Sequence, residues 1–235
     1  MRTSELAQRS IVAWFDSTYR RRGVRYLRPL KGYMVFPELL GLSEGDVLLD
    51  VACGPGMLLS AASPNTRRLF GCDISSVAVG QARSRVPAAR LSVANAESLP
   101  YVSSTFDVIT CLGSLERMLD RRRVLAEILR VGRPQSRYCF LVRNSNTLSW
   151  KYLAKRSARR ASGGHADADT LDSWSGLFES AGFRIRRVLP DQYPLLKRHA
   201  WRSLGLVPVD YRQPVESETP LERANEFVFL LERGV

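Results

Sequence analysis

The amino-acid sequence predicts an α/β fold with a parallel β-sheet built from βαβ units. In the middle of the chain, short runs rich in β-branched and aromatic residues alternate with helical patterns. A glycine-rich turn, within the segment VLLDVACGPG, joins the first of these runs to a helix. This alternation is typical of parallel strands whose connecting helices cover the sheet.

Seven strands and six helices are predicted in chain order. The predicted strands are Val47–Val51, Arg68–Asp73, Arg90–Ala94, Phe106–Cys111, Arg137–Val142, Phe183–Leu189 and Glu226–Glu232. The predicted helices are Leu6–Arg21, Arg28–Leu40, Leu58–Ala62, Ser76–Arg85, Arg121–Arg130 and Leu171–Ala181. Pro134 is expected to end the fifth helix, since proline cannot continue one. Gly182 suits the left-handed position that follows a helix.

We expect a single domain, because 235 residues suit one α/β unit with an appended cap. Residues 1–45 are expected to form an N-terminal helical cap, residues 46–143 a ligand-binding core, and residues 144–235 a C-terminal half. Within that half, residues 190–223 are rich in proline, arginine and aromatic residues. This segment is too long for a hairpin connection, so we expect it to form helices or loops of its own, with Tyr193, Trp201 and Tyr211 helping to wall a pocket.

Composition excludes several classes of protein. The chain has 45% hydrophobic and 25% charged residues, values ordinary for a globular protein. It shows neither an apolar run long enough for a membrane span nor a signal-peptide pattern at its N-terminus, so we expect a cytoplasmic protein. Its four cysteines (Cys53, Cys72, Cys111 and Cys139) lack metal-ligand spacing and lie in or beside apolar runs. We therefore expect buried, reduced thiols and no metal site.

The chain is strongly basic, with a net charge of +12 and a pI near 10.1. Such a charge could favour binding to nucleic acid, to an anionic membrane or to an acidic substrate. However, 31 of the 35 basic residues are arginines scattered along the chain, as a general compositional bias would produce. Local clusters are more informative. One contains Arg20, Arg21 and Arg22; the other is the segment Ser149–Arg160, which could contact an anionic membrane, steer an acidic substrate, or form a solvated helix face.

The segment Val47–Gly56 has the character of a nucleotide-type site. Gly54 and Gly56 allow a sharp turn and a close approach of ligand to backbone, and the helix that follows offers its N-terminal N–H groups. A dinucleotide site would need a glycine at the position of Leu59, and a phosphate-binding loop would need a Gly-Lys-Ser/Thr sequence that the chain lacks. The acidic Asp50 before the glycines favours a ligand with a cationic group.

With these residues, the region from 46 to 143 resembles the class I S-adenosylmethionine-dependent methyltransferases. The family's D-x-x-C-G-x-G loop, which holds the methionine part of the cofactor, is matched by Asp50, Ala52, Cys53, Gly54 and Gly56. The resemblance implies that Asp73, with Ile74 beside it, binds the ribose hydroxyls. Asp73 could instead cap the helix that begins near Ser75.

Two further segments extend the resemblance. ANAESLP resembles the family's adenine-reading D-A-x-x-L-P, with Asn95 in place of aspartate and with Ala96 and Glu97 following it. An amide oxygen can still accept a hydrogen bond from the adenine amino group, although Asn95 could equally be a turn residue. After the fourth strand, Leu112 and Gly113 would pass beside the cofactor.

The resemblance implies a doubly wound, Rossmann-like, seven-stranded and mostly parallel sheet with an antiparallel last strand. It also implies S-adenosylmethionine as cofactor. Amino-group methylases of nucleobases carry [DN]-P-P-[YFW] after the fourth strand, where this chain has Thr110-Cys111-Leu112-Gly113. We therefore expect O- or C-methylation of a small molecule, either lipophilic or acidic. The alternative is an RNA-modifying or nucleic-acid-binding protein of the same fold.

Two residues are candidate general bases for this transfer. His165 precedes the helix at Leu171, in a region that overhangs the pocket in the family, and could take a proton from a hydroxyl; it could equally be a solvent-exposed loop histidine. Glu116 follows the fourth strand and could face the acceptor, or could instead pair with an arginine. His199, the other histidine, is expected at the surface. An acceptor that is already anionic would need no base.

Overall fold

The computed structural model describes residues 2–25, 27–147, 150, 168–191 and 220–234. The helices in these ranges are α1 (Arg2–Arg22), α2 (Val35–Leu39), α3 (Met57–Ala62), α4 (Ser76–Arg85), α5 (Arg121–Val131) and α6 (Leu171–Ser180). The strands are β1 (Leu48–Val51), β2 (Leu69–Asp73), β3 (Arg90–Val93), β4 (Phe106–Leu112), β5 (Gly132–Arg143), β6 (Phe183–Asp191) and β7 (Glu226–Arg233). None of these helices is long and apolar enough to cross a bilayer.

The strands form one seven-stranded sheet in the order β3-β2-β1-β4-β5-β7-β6. The pairs from β3 to β5 are parallel, whereas β7 runs antiparallel to both β5 and β6. This confirms the α/β class, the mostly parallel, doubly wound sheet and the antiparallel last strand. The strand order reverses between β1 and β4, and the carboxyl ends of strands at such a reversal are where α/β folds bind ligands.

Successive side chains along each strand point to opposite faces of the sheet, and each face is covered by an apolar layer. Leu49, Ile109 and Phe140 point to the layer that contains α5 and α6, with Trp174 and Phe178 fully buried at its centre. Their neighbours in sequence, such as Leu48, Val108 and Leu141, point to the layer that contains α2 and α3. The two-residue period of a strand therefore explains why these strands are apolar at almost every position. All four cysteines are free and buried in or beside these layers, as expected.

The predicted helix over Arg28–Leu40 is wrong. The segment forms a 3₁₀ turn at Leu30–Gly32 and a separate short helix, α2, at Val35–Leu39. Pro29 precedes the turn with an extended backbone, and Gly32 follows within it, so no continuous helix begins at Arg28. Arg28 itself turns inward and is buried.

Two other boundaries differ from expectation. Helix α5 ends at Val131, and the next residue, Gly132, is already extended and opens β5. Pro134 therefore lies within the strand and does not end the helix. Strand β6 continues past Leu189 to the buried Asp191, because Pro190 and Asp191 pair with the first two residues of β7. The rest of the predicted insert, residues 192–219, lies outside the described residues, with Tyr193, His199, Trp201 and Tyr211.

Candidate functional site

A cleft lies at the carboxyl ends of β1 and β2. The floor is formed by residues from the ends of three neighbouring parallel strands, and α1 forms the opposite wall. The residues that line it are Gln8, Ile11, Phe15, Tyr19, Ala52, Cys72, Asp73, Ile74, Ala94, Asn95, Ala96, Glu97, Ser114, Arg117, Met118 and Leu119.

The glycine loop after β1 turns sharply beneath this cleft. Ala52, Gly54 and Gly56 all have positive φ angles, of 57°, 51° and 77°. A Cβ on Gly54 would lie 2.9 Å from the Tyr19 hydroxyl, whereas a Cβ on Gly56 would lie 3.1 Å from the Cβ of Ala82 in α4. Gly54 thus keeps the loop open toward α1, and Gly56 lets the start of α3 approach α4.

Asp73 is the central polar residue of the cleft. Its two carboxylate oxygens accept hydrogen bonds from the backbone N–H groups of Gly54 and Ser75, each at 2.8 Å. Helix α4 is capped by Ser75, whose hydroxyl accepts a hydrogen bond from the N–H of Ala78, so Asp73 is not the cap. Because each carboxylate oxygen has two lone pairs, Asp73 can still accept two further hydrogen bonds from a ligand.

Asp50 is buried below the loop and does not line the cleft. It accepts a hydrogen bond of 2.7 Å from the hydroxyl of Thr110 on β4. Burial raises the pKa of Asp50 to about 7 and that of Asp73 to about 6. Neither carboxylate forms an ion pair with any residue in the described ranges. The floor of the cleft therefore carries one buried acidic group, Asp73, with a second, Asp50, beneath it, and both favour a cationic ligand.

Asn95, Ala96 and Glu97 lie together in the cleft wall after β3. The side-chain oxygen of Asn95 accepts a hydrogen bond from the N–H of Glu97 at 3.0 Å, so Asn95 does form a turn while it lines the cleft. The carboxylate of Glu97 accepts a hydrogen bond from the N–H of Asp120, at the start of α5. This contact joins the wall to the segment after β4.

Leu112 and Gly113 do not line the cleft, but the next residue, Ser114, does. The N–H of Gly113 donates to the carbonyl of Leu141 in β5, which fixes the end of β4 to its neighbour. Cys53 is buried under the loop, and its thiol faces the carbonyl of Gly54. Together with Gly54 and Gly56, which shape the loop, these residues support the floor and sides of the cleft.

Glu116 is fully buried beside Arg143, the last residue of β5. The Nε of Arg143 lies 3.2 Å from a Glu116 oxygen, and neither Glu116 oxygen has a hydrogen-bond partner in the described part of the chain. The same Nε is 3.9 Å from Glu226 on β7. The alternative of pairing with an arginine is therefore what the structure shows for Glu116.

A chain of charged side chains continues from this pair along the edge of the sheet. Arg28 lies between Asp191 and Glu226, at 2.5 Å and 3.3 Å. Burial raises the pKa of Glu226 to about 7, because it outweighs the lowering of the pKa by the guanidinium groups of Arg28 and Arg143. The charges thus connect the segment after α1 with the end of β6 and the start of β7.

Helix α1 contributes residues to the cleft that no sequence motif had pointed to. Ile11, Phe15 and Tyr19 are four residues apart and so share one face of the helix, with Gln8 on the adjoining turn. That spacing is visible in the sequence and predicts that these apolar side chains face the protein interior. It does not predict which part of the protein α1 covers. Arg117, Met118 and Leu119 were also missed, because only the tertiary structure brings them to the cleft.

Half of the predicted cofactor residues therefore line one cleft, and the rest lie around it. Ala52, Asp73, Ile74, Asn95, Ala96 and Glu97 line it directly. His165, the other predicted base, lies outside the described residues, as does most of the basic segment Ser149–Arg160. In the described ranges, no cluster of histidine, cysteine, aspartate and glutamate could hold a metal ion.

Comparison with known proteins identifies the core of this fold. Residues 49–140 match the family model described as a methyltransferase domain. The matched residues include the glycine loop, Asp73 and the Asn95 segment, which the structure brings to one cleft. Over these residues the chain is similar to known methyltransferases.

Named methyltransferases are similar over the same region. The chain is 37% identical over 106 residues to 27-O-demethylrifamycin SV methyltransferase of Amycolatopsis mediterranei, an overlap of 42% of this chain and 39% of that protein. It is 37% identical over 107 residues to demethylmenaquinone methyltransferase of Symbiobacterium thermophilum, covering 41% of this chain and 42% of that protein. The similarity thus spans about two fifths of each of these relatives.

The solved structure of geranyl diphosphate C-methyltransferase from Streptomyces coelicolor, in complex with S-adenosylhomocysteine, shares the fold. It superposes with a TM-score of 0.63 at 16% sequence identity, over 86% of this chain and 75% of that one. At this identity the likeness concerns the methyltransferase fold alone.

Proposed function

We propose that this chain is a methyltransferase that transfers a methyl group from S-adenosylmethionine to a small-molecule acceptor, by O- or C-methylation. The observation that carries the proposal is the cleft at the ends of β1 and β2, where the residues of three separate cofactor motifs meet. When bound, the cofactor supplies an electrophilic methyl group on a positively charged sulfur atom.

The residues of the cleft fit this donor. Asp73 has lone pairs available for two vicinal ribose hydroxyls, and Asn95 and Ala96 are positioned on the wall where an adenine would lie. The buried carboxylates of Asp50 and Asp73 favour a ligand that carries a sulfonium and an ammonium group. Leu112 and Gly113 would hold the end of β4 in place beside the reacting methyl group.

Two observations favour a small-molecule acceptor. The segment Thr110–Gly113 at the end of β4 lacks the residues typical of nucleobase amino methylases. The names of two relatives refer to demethylrifamycin and demethylmenaquinone, which are small molecules. An acidic acceptor would also suit a chain of net charge +12, which attracts anionic ligands.

We propose His165, the candidate from the sequence, as the base for the transfer. Glu116 is fully buried against Arg143, so we assign it the task of holding Arg143 in place, not of touching the acceptor. An acceptor that arrives as an anion would need neither residue as a base.

The donor assignment is tested by isothermal titration calorimetry with S-adenosylhomocysteine. We expect a Kd on the order of micromolar for the wild-type chain, corresponding to roughly 8 kcal/mol of binding free energy. Asp73→Ala and Gly54→Val should abolish binding at ligand concentrations that saturate the wild type. In Gly54→Val, a Cβ would be forced to within 2.9 Å of the Tyr19 hydroxyl at a φ angle that valine avoids.

A matched control is Gly80→Ala, since a Cβ at Gly80 in α4 meets nothing within 4 Å. This variant should bind S-adenosylhomocysteine as the wild type does. No heat of binding for the folded wild type would overturn the proposal. The acceptor class is tested by release of S-adenosylhomocysteine from S-adenosylmethionine with a panel of phenols and quinols. Tight RNA retention with a steep salt dependence, together with turnover on RNA alone, would overturn the small-molecule assignment.

A further inference from the structure

We propose that Arg117 is a positioning residue of the donor site, which holds α1 closed over the cleft through the rings of Trp14 and Phe15. This inference rests on the proposed function, because the ligand enclosed by α1 is the methyl donor. It adds a residue outside the cofactor motifs and gives α1 a definite task in donor binding.

The contact joins the two sides of the cleft mouth. Arg117 belongs to the 3₁₀ turn Leu115–Arg117, directly after β4, and it lines the cleft. Its guanidinium carbon lies 5.6 Å from the centre of the Trp14 ring and 5.8 Å from that of Phe15. These distances are within the range for cation–π attraction. The two rings are packed edge to face at 4.9 Å, so one guanidinium engages both.

On the other side of the cleft, α1 is attached to the start of α4. The carboxylate of Asp16 accepts a hydrogen bond of 2.5 Å from the hydroxyl of Ser75. The N–H of the same serine donates to Asp73, so α1 is linked through one residue to the carboxylate of the cleft floor. Farther along, the side chain of Gln81 donates to the carbonyl of Tyr19 at 3.1 Å.

Helix α1 therefore lies across the cleft with an attachment on each side. Phe15 and Tyr19 face inward between these attachments, where they would pack on a bound donor. Because α1 forms one wall of the cleft, a shift of α1 would widen the exit for a bound donor. The contact of Arg117 with Trp14 and Phe15 is made by side chains alone, so a single substitution can release it without removing a hydrogen bond to Asp73.

Loss of the Arg117 contact should act mainly on dissociation. We expect Arg117→Gln to release S-adenosylhomocysteine about five- to tenfold faster than the wild type, as the loss of a partly desolvated cation–π contact would do. Arg117→Lys keeps the cation and should recover most of the wild-type rate. The association rate should change little, because an already open cleft presents no new barrier.

The experiment measures the dissociation rate of S-adenosylhomocysteine by surface plasmon resonance on the immobilised full chain. A second readout is tryptic cleavage after Arg20, Arg21 and Arg22 at the end of α1. Saturating S-adenosylhomocysteine should protect these sites in the wild type and protect them less in Arg117→Gln. The matched control is Arg90→Gln, whose guanidinium lies 5.5 Å from the ring of Phe70, at the far edge of the sheet.

Trp14→Leu removes the other partner of the contact and should reproduce the fast release even if Arg117→Gln fails to fold. Equal dissociation rates in wild type and Trp14→Leu, or in wild type and folded Arg117→Gln, would overturn the inference while leaving the proposed function intact. Failure of the wild type to bind S-adenosylhomocysteine would instead contradict the proposed function. A control variant that releases the ligand as fast as Arg117→Gln would also refute the role of α1.

Discussion

The titration of Asp73 should make donor binding depend on pH. Burial is the main cause that raises the pKa of this carboxyl to about 6, and the nearby carboxylate of Asp16 on α1 adds to it. The two carboxylate oxygens of Asp73 already accept hydrogen bonds from backbone N–H groups. Protonation of the carboxyl would place its O–H among these donors and would leave one oxygen fewer to accept a hydrogen bond from the ribose. Only the ionised form is therefore expected to bind well.

The magnitude follows from the ionised fraction of the free protein. With a pKa of about 6, Asp73 is about nine-tenths ionised at pH 7 and about one-tenth ionised at pH 5, so the apparent Kd should rise about tenfold as the pH falls. The carboxyl and amino groups of the ligand, with ordinary pKa values of about 3.5 and 8, keep their charges over this interval.

The assay is calorimetric titration with S-adenosylhomocysteine at pH 7.0, 6.0 and 5.0 in buffers of equal ionic strength. Asp73→Asn should bind more weakly at every pH and lose the slope between pH 6 and 5. Asp50 does not line the cleft, so Asp50→Asn should keep the slope between pH 6 and 5 that the titration of Asp73 causes. A wild-type Kd that changes less than twofold from pH 7 to 5, or a full slope in Asp73→Asn, would refute the reasoning.

Three further predictions concern stability. The pKa of Asp50 is about 7 when folded and about 3.9 when unfolded. Titration of this group should therefore raise the free energy of unfolding of the ligand-free protein in urea by about 2.5 kcal/mol as the pH falls from 8 to 5, and Asp50→Asn should flatten that dependence. Gly71→Ala should lower the free energy of unfolding by about 1–3 kcal/mol, because its Cβ would lie within 3 Å of two leucine side chains. Gly176→Ala in α6, where a Cβ meets open space, should leave the stability unchanged or raise it in the same thermal melts. Arg130→Ala should lower the free energy of unfolding by about 1–3 kcal/mol, because two carbonyls of the turn after β3 lose their hydrogen bonds. Arg133→Ala removes only an exposed ion pair and should lower the free energy of unfolding by about 1 kcal/mol or less, as measured by chemical denaturation. Equal losses in either matched pair would contradict the structural explanation.

The sheet and the donor motifs could be predicted from the sequence because their signals are local. Strands β1, β2, β4 and β5 each contain a short apolar run, and the glycine loop with Asp50 occupies consecutive positions. Where the local signal conflicted with tertiary pairing, the prediction failed. Pro134 was expected to end α5, yet Gly132 already pairs with Phe106, so the strand begins before the proline is reached.

The charged cluster at the ends of β5, β6 and β7 could not be predicted in the same way. Arg28 contacts Asp191, 163 positions later in the chain, and no periodicity in the sequence links the two. Glu116 was expected either to face an acceptor or to pair with an arginine, and only the structure chooses Arg143 as its partner. Long-range charge pairing is decided by topology, which brings together the ends of β5, β6 and β7.

Asp191 and Glu226 are directly opposite each other where β6 and β7 begin to pair. The chain between them therefore leaves and re-enters the sheet at one point, and its ends are joined by Arg28. Because the cost of closing a loop grows only slowly with its length, a segment of different length or sequence could be grafted between these two residues at little cost to the sheet. The donor cleft, built from other strands, would keep its shape through such an exchange. The length and sequence of this part of the chain are therefore uncoupled from the geometry of the cleft.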